Sequence, residues 1–261
     1  MNLLLWIILF SLLGGTLSLI AAAIYLLLAD RHRTRLLPHL ISLATGTLLG
    51  AAFIGLLPHA LEEAGAANTH TVTLCVLVGV IAFFLLEKMV IWRHCHDEHC
   101  EEHASNPRIN PKLAAGSLIL LGDGIHNFVD GILIAAAFLT DLKLGIVTSL
   151  AIAVHETPQE VGDFAILLDS GFTRRKAFLY NLISSLATVL GALLAWISLP
   201  SSTSALPYIL AITASSFIYV AVADLIPGLH QRTEIRESVA QVVLITVGIS
   251  LIYGLDSILH Q

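Results

Sequence analysis

Two short stretches hold most of the residues here that could do chemistry: His126-Asn127-Phe128-Val129-Asp130-Gly131 and His155-Glu156-Thr157-Pro158-Gln159-Glu160. Each sits in the middle of a long apolar run, where a charged group costs about 2.5–3.5 kcal/mol even on the mildest bilayer scale. Residues three and four apart share a helix face. Asp123, His126, Asn127 and Asp130 therefore form one stripe, and His155, Glu156, Gln159, Glu160 and Asp163 form a second, wider one. Counted along the two runs at about 1.5 Å per residue, His126 and His155 fall at matching depth near the bilayer midplane. Imidazoles and carboxylates facing one another in lipid call for a divalent cation, because unpaired anionic ligands there repel one another or take up protons.

Other chemistries fit less well. A hydrogen-bonded polar seam would explain a lone His or Asn, but not this many carboxylates on two facing spans. An HExxH zinc protease needs a second His where Gln159 stands. A zinc hydrolase assembled from His126, His155 and Asp130 around an activated water is the alternative function. A metal sensor without flux is a third reading. No GxxxxGK[ST] phosphate loop is present to drive a primary pump.

The elements that must position these stripes are membrane spans. The 261 residues are 56% hydrophobic and 12% charged, against about 25% charged in soluble domains. The net charge of -6 gives no case for a nucleic-acid partner. Runs of roughly 20 residues cross the hydrocarbon, and eight are predicted: 3–28, 38–61, 71–92, 113–138, 143–168, 176–199, 206–229 and 238–258. The first lacks a basic n-region, so it reads as a retained helix rather than a signal peptide. The fold class is an all-α polytopic membrane protein, with residues 1–261 as a single transmembrane domain.

Of the 13 Lys and Arg, only Lys143 falls on one side of this arrangement. The positive-inside rule makes the other side cytoplasmic and puts both termini outside. Span two ends in Leu56-Leu57-Pro58-His59 and span seven in Leu225-Ile226-Pro227-Gly228. Similar spans running in opposite directions suggest an inverted repeat, spans one to three matching six to eight around a central pair, four and five. Gly46 and Gly50 form a GxxxG, which permits close helix contact, and a homodimer is among the expected partners.

The loop at about 93–112 holds His94, Cys95, His96, His99, Cys100 and His103. Imidazole and thiolate are borderline-soft ligands. Without a fixed CxxC spacing, the loop reads as a loose cytoplasmic metal collector rather than a rigid zinc site. The short loops and the lack of any Asn-x-Ser/Thr sequon favour a bacterial inner membrane over a eukaryotic surface.

On the motif Asp123-Gly124-Ile125-His126-Asn127-Phe128-Val129-Asp130-Gly131, and on His155-Glu156-Thr157-Pro158-Gln159-Glu160-Val161-Gly162-Asp163, the chain resembles the ZIP (Zrt/Irt-like) family of metal-ion transporters. The resemblance implies uptake of a divalent metal into the cytosol through a binuclear centre: zinc first, with iron, manganese or cadmium as alternatives, and no organic cofactor. His126, Asp130, His155 and Gln159 would surround one ion. Asn127, Asp130 and Glu156 would approach a second, with Asp130 bridging. His59, Asp123, Glu160, Asp163 and Asp224 would line the pathway. Two positions depart from the pattern. The branch resembled has HExPHExGD, with His where Gln159 stands, and some members supply a Glu from span six where this chain has Thr188.

Overall fold

The structure, a computed structural model, describes residues 2–98, 111–199, 204–230 and 234–259. Every regular element among them is helical. The chain begins with α1 (Leu3–Leu27) and α2 (Asp30–Gly50), then a π-helical turn (Ala51–Leu56), α3 (Leu57–Ala64) and α4 (Thr69–Glu98). The central helices are α5 (Pro111–Thr140), α6 (Leu142–Asp169) and α7 (Arg174–Ser198). There follow α8 (Leu206–Tyr219), a second π-helical turn (Val220–Leu225), α9 (Ile226–His230) and α10 (Ile235–Leu259).

Seven helical runs among the described residues are long and apolar enough to cross a membrane; α2 to α3 and α8 to α9 each count as one. The fifth expected span, α6, has 28 residues but is not in that set. His155, Glu156, Gln159, Glu160 and Asp163 lower its hydropathy, and these are the residues of its stripe. Expected boundaries also move. Helix α2 starts at Asp30, so Arg31, Arg33 and Arg35 lie on its first turns and not in a loop. Helix α4 runs to Glu98, which puts the backbone of His94, Cys95 and His96 on a helix. Residues 99–110 of the expected loop, including His99, Cys100 and His103, lie outside the described residues, and 111–112 open α5.

Side chains are sorted as lipid requires. Leu5, Leu17, Leu77, Ile81, Leu190 and Val242 are at least half exposed, whereas Ser11, Ser18, Ser42, Thr45, Ser185 and Thr213 are buried. Small and weakly polar residues let helices approach closely where no hydrophobic drive exists between them. The GxxxG of α2 is used inside the chain, with Gly46 against Ile245 and Gly50 against Ile249 and Ile252 of α10.

The two π turns share one cause. Leu57 N–H bonds to Ala52 C=O and Ile226 N–H to Ala221 C=O, each spanning five residues, and a proline follows at once in both, Pro58 and Pro227. A proline ring clashes with the carbonyl four residues back, and the wider π turn relieves that clash. The first π turn packs on α8 and the second on α2. Helix α6, by contrast, runs unbroken through Pro158.

The central helices meet most tightly between α5 and α7. A Cβ on Gly131 would overlap the Thr188 carbonyl, and one on Gly191 would overlap the Phe128 carbonyl. Backbone therefore lies on backbone at the level of the His126 stripe. Gly191→Ala should lower the unfolding midpoint in detergent by the equivalent of about 1–3 kcal/mol. Gly14→Ala, whose new Cβ would meet nothing within 4 Å, should not lower it.

Candidate metal centre

Helices α5 and α6 pack against each other and bring four of the expected residues together. One ligand atom each from His126, Asp130, His155 and Glu156 lies within 4.8 Å of the other three. His126 Nε2 is 3.4 Å from His155 Nε2, 3.4 Å from Glu156 Oε1 and 3.7 Å from Asp130 Oδ2. His155 Nε2 is 3.6 Å from Asp130 Oδ2 and 3.8 Å from Glu156 Oε1. Four ligands placed tetrahedrally at about 2.0–2.1 Å from a zinc ion stand about 3.3 Å apart. A contraction of a few tenths of an ångström would suit this set to such an ion.

The orientation of His155 supports the same use. Its Nδ1 lies 3.3 Å from the Ala151 carbonyl, which can only accept, so Nδ1 carries the proton and Nε2 presents a lone pair to the group. Asp130 Oδ2 and both Glu156 carboxylate oxygens are buried without a hydrogen-bond partner. Buried carboxylate oxygens in that condition are compensated by a cation. The His126 side chain is 23% exposed, against 2% or less for the other three, so an ion would reach the group past His126.

Glu156, expected at the second ion, stands in the same group as His126, Asp130 and His155, and Gln159, expected at the first, is half-buried on α6. Asn127 donates from Nδ2 to Asp123 Oδ1 at 2.8 Å, and its Oδ1 accepts from Thr188 Oγ1 at 2.9 Å. The amide oxygen that could ligate a second ion is thus already engaged. Among the pathway residues, Glu160 is fully buried and accepts from Ser185 Oγ at 2.9 Å, and Asp163 is half-buried one turn further on. His59 Nδ1 donates to the Gly55 carbonyl at 2.9 Å, and Asp224 lies in the second π turn, exposed.

The polar face of α7 did not emerge from the sequence reading. Asn181, Ser184, Ser185 and Thr188 are all buried, and the last three supply partners to both metal-bearing helices. Their offsets of 0, 3, 4 and 7 were a signal available in the sequence.

The family model described as ZIP zinc transporter matches residues 2–112 and 92–256. The chain belongs to the ZIP family. A "Zinc transporter ZIP13 homolog" of Drosophila melanogaster is 31% identical, over 85% of this chain and 78% of its own length. "Zinc transporter ZIP13" of Danio rerio is 33% identical, over 82% and 74%. "Zinc transporter SLC39A7" of Mus musculus is 29% identical, over 92% and 68%. In this ZIP chain, Glu156→Ala should weaken zinc binding by at least about tenfold, the loss seen for metal-site partners in general. Gln159→Ala should weaken it less; titration against a competing chromophoric chelator checks both.

Proposed function

We propose that this divalent-metal transporter takes zinc first, with iron, manganese and cadmium as competing substrates, and moves it into the cytosol by alternating access. The observation that supports this reading best is the group of His126, Asp130, His155 and Glu156, held between two antiparallel helices midway along their length. An incoming ion exchanges part of its water shell for these four donors. Ligands must be deprotonated to bind, so loading releases protons. An inside-negative potential favours entry by about 2.3 kcal/mol per charge per 100 mV. His59 lies toward the outer side; Asp123, Glu160, Asp163 and Asp224 lead toward the inner one.

We count α6 as the eighth span, since a helix that lines an ion path can carry charge that a lipid-facing helix cannot. The inverted repeat finds support in the two π turns, which begin 169 residues apart, the same offset that relates Pro58 to Pro227. Exchanging spans one to three for six to eight also maps the α2–α10 contact onto α8–α4. Both termini face outward in this topology, and the whole chain acts as one transport unit. The 93–112 segment collects ions on the cytoplasmic side. A homodimer and a bacterial inner membrane complete the proposal; the membrane assignment rests on loop length and the missing sequon, and the relatives above are animal proteins.

Reconstituted in vesicles, the chain should accumulate zinc, and His126→Ala, Asp130→Ala and His155→Ala should each cut the rate by at least about tenfold at equal incorporation. No flux of zinc, iron, manganese or cadmium would sink the reading. Chelator-sensitive turnover of a lipid or peptide in place of flux would favour the hydrolase. Deleting 94–103 should leave most of the flux, whereas a sensor built on that loop would lose its response.

A further inference from the structure

Two cavities at one end of the bundle have linings that include none of the residues assigned to the metal path. The larger, about 650 Å³, lies among α1, α2, α6 and α9 and is lined by Tyr25, Leu37, Ile41, Val161 and Leu229 with Arg33. The smaller, about 220 Å³, is lined by Phe164, Leu168 and Phe178 with Arg33 and Arg174. Leu26 and Arg33 line both. Pro158, Val161 and Ala165 also line the larger one. At about 100° per residue they project roughly opposite Glu156 and Asp163, while His155, three residues before Pro158, stands about 60° round from it. A Cβ on Gly162 or Gly228, which line the same cavity, would meet nothing within 4 Å, so the room there is real.

We propose that this pair of cavities holds one anionic phospholipid, with its phosphate on Arg33 and Arg174, one acyl chain in the larger cavity and the first part of the other in the smaller. Charge and surroundings both favour that occupant. Arg33 lies on the first turn of α2 and Arg174 is the first residue of α7, so two long helices point their partly positive N-termini at one spot. The Tyr25 hydroxyl donates to the Arg33 carbonyl at 2.8 Å and fixes the corner between α1 and α2. Exposed Ile24, Leu27 and Phe178 stand on the neighbouring outer faces of α1 and α7, where acyl chains lie. Basic residues over an apolar cavity between spanning helices recognise an anionic headgroup. A soluble phosphate would have no use for the apolar lining.

The lipid would buttress α6 on the side opposite Glu156 and within a turn or two of His155, so its occupancy sets how readily that helix rearranges. The membrane setting is taken from the proposed function, but the binding itself needs no transport to be measured. The full-length protein is purified in detergent, titrated with phosphatidylglycerol or phosphatidylcholine, and the retained lipid counted by native mass spectrometry. One phosphatidylglycerol should be retained in preference to phosphatidylcholine. Arg33→Gln with Arg174→Gln should weaken it about thirtyfold, the loss of two basic contacts. Gly162→Leu should also expel it, by filling the cavity with both arginines in place. Arg31→Gln with Arg35→Gln, on exposed side chains of α2, should change little. Equal retention of the two lipids would overturn the proposal, as would no loss in either the arginine or the glycine variant. So would glycerol phosphate binding as tightly as the lipid. In vesicles, phosphatidylglycerol should raise zinc flux in the wild type and not in the arginine pair. Specific lipid retention with no metal flux in any vesicle would fail the transport reading and leave this one standing.

Discussion

The structure turns on two imidazoles held 3.4–3.8 Å from each other and from two carboxylates, inside a bundle whose outer surface is apolar. Nothing in such a place is held by default: each donor must be aimed by its own helix and each unneeded proton kept away. The backbone contact of α5 with α7 exists to that end, since it sets Thr188 and Ser185 against Asn127 and Glu160. The small residues on the inner faces of α1, α2 and α7 serve the same end. They trade side-chain volume for helix proximity, and proximity is what lets four ligand atoms from two helices converge.

Much of this was legible in the residues. Period-3.6 spacing put Asp123, His126, Asn127 and Asp130 on one face, and equal depth put His155 opposite. What spacing does not encode is rotamer and partner. Asn127 has the position of a ligand, yet its amide is taken by Asp123 and Thr188, a residue 61 positions away. His155 sits on the edge of the α6 stripe in a helical projection, about 100° from Glu156, and both still reach the group. The face of α7 was overlooked for a different reason: serines and threonines in an apolar helix bond back to their own carbonyls at little cost, so they draw no attention until the neighbouring helix is seen.

Hydropathy also misjudged its own best evidence. The helix that carries most of the polar constellation, α6, falls outside the set of apolar spans because of that constellation. Bilayer length and composition pick out lipid-facing helices. A helix enclosed by α1, α2, α5 and α7 answers to its protein neighbours instead.

The two π turns carry a consequence for phase. A π turn holds one residue more than an α turn, so whatever follows it is rotated by about 100° relative to a straight α-helix. His59 therefore faces where it does because of a surplus residue a few positions upstream, not because of its own spacing from the helix start, and Asp224 sits within the second π turn itself. Each turn works as a vernier set into its helix: if the surplus moved by a single position, the residue it passed would be re-aimed while the helix ends stayed in place.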